Sequence, residues 1–208
     1  MALFLGALFT TAPDAFSFVP EIKVPKNLSD PAKIQAAKDA ATEALAFTPG
    51  AGLLTKFTLI DAAGNRLLSF EENGPSGDQR YHAAFPTPGL ALIAYLKDVF
   101  PCLLRSSANP NAVGASIYGF NARTALRVAS FEALRYGMDV PLSFYWWGRY
   151  QDDIAVCDPY DDIVTSETSK QISRLDLMRY LNVPHASGLP TVRAAHDALA
   201  LATKFKLG

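Results

Sequence analysis

Apolar residues recur at helical spacing in five stretches of this chain. Ser29-Asp30-Pro31 supplies a capping side chain followed by proline in a first turn. The helix it opens is expected to run to about Phe47, with Ile34, Ala37, Ala41, Ala44 and Leu45 on one face and Thr48-Pro49-Gly50-Ala51-Gly52 as its stop. After Pro86-Thr87-Pro88 a second helix is expected over Leu90 to Val99, ended or kinked by Pro101. A third covers Ala122 to Tyr136 and stops at Gly137. Ile172 to Leu181 holds Leu175, Met178 and Leu181 in phase, and Pro190 opens a last helix to Phe205 with Val192, Ala195, Leu199 and Ala202 stacked.

One pair of segments reads as strands. Lys56–Ile60 and Arg66–Phe70 flank a Gly64-Asn65 turn, which predicts a β-hairpin. Glu71 to Gln79 is a polar Gly/Pro/Asn loop, Asn109-Pro110-Asn111 a turn, and Asp152 to Ser169 an acidic loop with short turns. Residues 1–28 carry prolines and large apolar side chains without periodicity. They are too apolar for a solvated tail and are expected to be an extended arm lying against something else. The pattern predicts a mainly α fold with one small hairpin: an arm over 1–28 and a single core domain over 29–208.

Composition narrows the function. The chain has 208 residues, half of them hydrophobic, with 19% charged and a net charge of −1. A nucleic-acid binder that works by a strongly basic footprint is excluded by that total. Low charge with much apolar surface suits burial against further copies of the chain. The charge is segregated, however. Gln79 to Tyr150 holds seven basic residues (Arg80, Lys97, Arg105, Arg123, Arg127, Arg135, Arg149) against Asp98, Glu132 and Asp139, whereas Asp152 to Glu167 holds six acids and no base. The two cysteines, Cys102 and Cys157, have no metal-like spacing, and a reducing compartment fits them. No run is long enough for a membrane span. Met1 to Phe9 looks like a short signal-peptide core but lacks the basic residues before it, the first lysine being Lys23. An apolar arm docking on a neighbour through Phe4, Leu5, Leu8, Phe9, Phe16 and Phe18 is the expectation.

Enzyme signatures are lacking. The histidines, His82, His185 and His196, form no metal pair, and no nucleophile elbow, phosphate loop or dinucleotide fingerprint occurs. Asp152, Asp153, Asp158, Asp161 and Asp162 do not match the calcium-loop spacing, so no metal or cofactor is expected. A small metal-dependent hydrolase built on Asp152–Asp162 with His185 is the enzymatic alternative. A protein-interaction domain without nucleic acid is the other. The aromatics Phe144, Tyr145, Trp146 and Trp147 cannot all face one way, and core or subunit interface is their expected place.

The strongest chemical signal is Thr124-Ala-Leu-Arg127-Val-Ala-Ser130-Phe131-Glu132. An arginine on a largely apolar helix must find an anion, because an unpaired buried charge is costly. Thr124 and Ser130 lie three residues either side of Arg127, and Arg123 lies four before it on the same face. One cation with two hydroxyls is phosphate-binding chemistry. Glu132 is five residues from Arg127, about 140° round the helix axis, so direct pairing would need a bend or a bridging group.

The stretch Arg127-Val-Ala-Ser130-Phe131-Glu132 resembles the shared motif of coat proteins of flexuous filamentous plant RNA viruses of the potexvirus and potyvirus kind: a basic residue, an aromatic, Ala-Ala, then Phe-Asp. Pro88 to Phe100 and Ile117-Tyr118-Gly119 look like the segments preceding that motif, so the resemblance spans about residues 85–140. Glu132 stands for the family's Asp, and Val128 for its aromatic. Ser173 to Leu181 and Pro190 to Arg193 are similar to the last helices of phlebovirus-type nucleoproteins. The resemblance implies a helical-bundle core of two lobes with an RNA groove between them. It also implies a non-enzymatic capsid subunit that polymerises as a helical filament on single-stranded RNA, in the virion and the host cytoplasm. Arg127, Thr124 and Ser130 would then meet phosphates, Glu132 would orient Arg127, and Arg123, Lys97 and Arg105 would add contacts.

Overall fold

The computed structural model describes residues 2–10, 29–46, 52–71, 74–99, 115–138, 154–159 and 172–205. Among these described residues, six strands form one mixed sheet. In chain order they are β1 (Ala2–Thr10), β2 (Leu53–Asp61), β3 (Arg66–Glu71), β4 (Gly74–Gly77), β5 (Ala115–Tyr118) and β6 (Ile154–Cys157). Across the sheet the order is β4-β3-β2-β1-β5-β6. β1 through β4 pair antiparallel, whereas β5 runs parallel to β1 and β6 parallel to β5. The helices are α1 (Pro31–Ala46), α2 (Gln79–Ala84), α3 (Pro88–Val99), α4 (Ala122–Arg135), α5 (Arg174–Tyr180) and α6 (Pro190–Phe205).

This is an α/β protein, and it corrects the expectation of a mainly α, two-lobed bundle with an RNA groove, one hairpin and an extended N-terminal arm. All five predicted helices and the hairpin are present. What overturns the fold class is the start of the segment read as an arm, residues 2–10; residues 11–28 of it lie outside the described residues. Ala-Leu-Phe-Leu-Gly-Ala-Leu-Phe-Thr is a continuous apolar run because both of its faces are covered, as in a central strand. Leu3, Phe4, Leu5 and Gly6 are all buried in the chain's own core. The other missed strands are only four residues long, too short to show a period, and β4 reads Gly-Pro-Ser-Gly.

Each face of the sheet has its own core. Leu3 and Leu5 pack with Phe57, Leu59 and Leu68 against α3 and α4. Phe4, Ile60 and Tyr118 pack on the other side against Leu177 and Met178 of α5 and the alanines of α6. Gly6 permits the second contact: a Cβ there would overlap the Thr191 carbonyl oxygen and come within 2.8 Å of the Ala195 nitrogen. The same interface buries a row of hydroxyls. Thr58 Oγ1 lies 2.9 Å from Ser69 Oγ and 2.7 Å from Thr191 Oγ1, and Thr191 in turn donates to the Glu71 carboxylate.

Local signals behave as read. Asp61 Oδ1 accepts from the Ala63 and Asn65 amides at 2.8 and 2.9 Å, and Gly64 takes φ +83° to complete the hairpin turn. Among the described residues no helix is long and apolar enough to cross a membrane.

Candidate anion-binding site on α4

β5 leads through Gly119, Phe120 and Asn121 straight into α4. Asn121 is in the left-handed region (φ 56°) and gives the helix no side-chain cap. Ala122, Ala125, Leu126, Ala129 and Ala133 form the stripe that meets the sheet, all nearly or wholly buried. Arg123, Thr124, Arg127, Phe131 and Arg135 occupy the other side and are half-buried. At about 100° per residue, Arg123 and Arg127 fall some 40° apart. Arg123, Thr124 and Arg127, which the spacing assigned to phosphate contacts, thus lie on one half-buried side of α4.

Arg127 makes no hydrogen bond or ion pair with any of the described residues. Burial pushes its guanidinium below the ordinary arginine value, with no nearby carboxylate to offset the cost. Thr124, one turn earlier, makes no side-chain hydrogen bond among the described residues either. The two residues lie one helical turn apart on α4, both half-buried.

Three other expected contacts are placed elsewhere. Ser130 is fully buried and donates to the Leu126 carbonyl at 2.8 Å, back-bonding to its own helix. Glu132 is turned away from Arg127 and into the sheet-side core, 1% exposed. Its Oε2 accepts from the Leu54 amide at 3.3 Å, and Thr87 also hydrogen-bonds to it. It rests on Gly89 in the first turn of α3, where a Cβ would overlap the carboxylate. Burial raises the Glu132 pKa above the usual carboxyl value; the hydrogen bonds from Thr87 and Leu54 act against that rise. Glu132 thus ties α4 to β2 and to the start of α3, and it does not orient Arg127. Arg123 donates from Nη2 to the Val156 carbonyl of β6 at 2.9 Å. Lys97 is half-buried in the last turn of α3 and already interacts with a neighbour. Arg105 lies outside the described residues.

Of the expected interface residues, Phe4 and Leu5 are core and Phe9 packs against that core. Leu8 is 42% exposed; on the paired strand Leu53, opposite Thr10, is 49% exposed. Phe16 and Phe18 lie outside the described residues, as do Phe144 to Trp147. So do four of the five acids of the proposed metal cluster. The fifth, Asp158, is buried at the end of β6, and the described residues hold no cluster that could bind a metal.

A second charged group was not foreseen. Asp197 of α6 is fully buried, and its Oδ1 accepts the Ala186 amide at 2.8 Å. Its Oδ2 lies 3.1 Å from Arg174 Nε and 2.7 Å from His185 Nδ1. The available signal was an aspartate in the alanine-rich stripe of the last helix, between Ala194 and Ala198. Its partners lie in other elements, so no local spacing reveals them. No protein-family model, characterised protein or solved structure matches this chain.

Proposed function

We propose that the protein is a non-enzymatic RNA-binding subunit of a viral ribonucleoprotein, and that Arg127 with Thr124 contacts the phosphate backbone of single-stranded RNA. The observation that carries this reading is the half-buried guanidinium of Arg127, which has no anion among the described residues. The sequence offered two anions for it, Glu132 and a phosphate, and Glu132 is committed to Leu54, Thr87 and Gly89. A cation kept partly desolvated without a partner costs stability, and an arriving phosphate relieves that cost. The near-neutral total charge fits a subunit that covers a few nucleotides and polymerises with copies of itself. The polymerising coat rests on the sequence resemblance of residues 85–140, because the described residues form an α/β sheet fold and not the two-lobed helical bundle associated with it.

The test is fluorescence anisotropy of labelled oligouridylate against wild type and Arg127→Gln at several salt concentrations, with thermal melts as a folding control. The variant should keep its fold, bind several-fold more weakly, and lose about 0.7 from the slope of log K against log salt. A folded variant that binds RNA as wild type does would overturn the assignment. Absorbance at 260 and 280 nm with electron microscopy of the native material checks the wider reading. RNA-containing filaments are expected, and particles of protein alone, unchanged by added RNA, would remove the coat.

A further inference from the structure

A polymer of phosphates held at one arginine would pivot about it, so a second cation on its path is worth seeking. Arg174 opens α5, on the opposite side of the sheet from α4. Its guanidinium carbon nevertheless stands 5.8 Å from the centre of the Phe120 ring, and Phe120 lies two residues before the start of α4. Arg174, the Phe120 turn, Arg123 and Arg127 therefore follow one another around the junction between β5 and α4.

The side chain is held from behind. Nε lies 3.1 Å from Asp197 Oδ2, an ion pair without hydrogen-bond geometry, and the Phe120 ring supports the guanidinium by a cation–π contact. With Nε facing that carboxylate, the two terminal nitrogens remain, and they bond to none of the described residues. His185 approaches the same oxygen through Nδ1, which leaves Nε2 as its outer ring nitrogen. Both side chains are about a quarter exposed. Donors outnumber acceptors here, since one buried carboxylate serves an arginine, a histidine and a backbone amide. The nearest acid of α5, Asp176, is already tied to Ser173 and Arg179. An arginine whose fork is oriented by a carboxylate and an aromatic face loses little entropy on taking a phosphate.

We propose that Arg174, with His185 beside it on Asp197, is a second phosphate-binding position of this protein, and that single-stranded RNA runs from it past the Phe120 turn to Arg127. The proposal rests on the reading of Arg127 as a phosphate contact and extends it to a path.

The experiment compares Arg174→Gln and Arg127→Gln, singly and together, in oligouridylate binding across a salt series. Arg174→Gln should weaken binding several-fold and lower the salt slope by about 0.7, and the double variant should lower it by about twice that. A purely structural Arg174 would move the melting temperature and leave the slope alone. If folded Arg174→Gln binds with unchanged affinity and slope while Arg127→Gln is weakened, the path is overturned and Arg127 stands. If Arg174→Gln is weakened and Arg127→Gln is not, the phosphate position stands and the assignment of Arg127 falls. No binding by wild type overturns both. Should Arg174→Gln fail to fold, the Nε–Hε resonance of Arg174 in the wild-type protein is followed during titration with tripolyphosphate. A saturable shift supports the position, and an unmoved resonance overturns it.

Discussion

Two helices press a carboxylate into the interior from opposite sides of the same sheet, and the two carboxylates are treated differently. Asp197 of α6 is met by Arg174, His185 and the Ala186 amide. Glu132 of α4 takes its hydrogen bonds from neutral groups, the Leu54 amide and Thr87, with only the charge of Arg135 acting on it as well, although Arg127 lies five residues before it. The fold therefore spends its paired charge at α6, where the link between α5 and α6 has to be fastened. At α4 the acid inside has the charge of Arg135 acting on it, whereas the base half outside, Arg127, has no anion among the described residues. A half-buried base without a partner is poorly explained by stability alone, since burying unpaired charge is costly. The surplus arginine is the half that faces a possible ligand.

Removing each carboxylate should expose that difference most strongly. Asp197→Ala strands Arg174, His185 and the Ala186 amide around a buried hole, and a loss of about 3–5 kcal/mol in denaturant unfolding is expected. Asp197→Asn retains one acceptor and should lose less. A loss below about 1 kcal/mol for the alanine variant would show that the cluster is not a fastening. Next in size is Gly89→Ala, which puts a methyl group into the space of the Glu132 carboxylate. It should cost about 1–3 kcal/mol. Most of that cost should vanish when Glu132 is also shortened, so the double variant Gly89→Ala/Glu132→Ala tests the contact directly.

The contrast also shows where the sequence was legible. Element boundaries came through wherever a cap, a proline or a turn residue fixed them: Pro31 for α1, Asp61 to Asn65 for the hairpin, Pro190 for α6. At α5 the structure adds a cap that the spacing had not singled out, the Ser173 hydroxyl accepting the Asp176 amide. The fold class did not come through, because it turns on β1. A strand covered on both faces loses the alternation that marks a half-buried one, and its glycine, needed for α6 to approach, looks like a break. At the candidate site, spacing placed Arg127 and Thr124 one turn apart on a helix that is present, because helical geometry is local. Roles assigned to Ser130 and Glu132 failed because both are settled across elements, by the sheet and by α3. The Asp197 cluster was invisible for the same reason, joining three segments from Arg174 to Asp197.

Glu132→Gln asks a finer question. The folded protein holds the Glu132 proton to higher pH than the unfolded chain does, because burial disfavours the charged form. Between the unfolded value near 4.5 and the raised folded value, the folded state binds more protons, so wild-type stability should fall as pH rises and then level off. Glutamine still offers an oxygen to the Leu54 amide but does not titrate. The variant should lack that decline and at pH 7 should match or exceed wild type by up to about 1 kcal/mol. Parallel stability–pH curves for the two proteins would mean that Glu132 is charge-compensated after all.

The smallest effect should come from the residue on which the proposed function rests. Arg127→Met keeps the long apolar stem that packs on α4 and removes a charge that nothing in the described fold neutralises. A stabilising change of less than about 1 kcal/mol is expected in the RNA-free protein, opposite in sign to the loss predicted for Asp197→Ala. Added oligouridylate should then raise the melting temperature of wild type and not of the variant, since a ligand stabilises only the state that binds it. A side chain kept for a phosphate should therefore lower stability without RNA and raise it with RNA. If Arg127→Met instead destabilises the RNA-free protein by more than about 2 kcal/mol, the guanidinium is fastening the fold, and the phosphate reading of α4 loses its support.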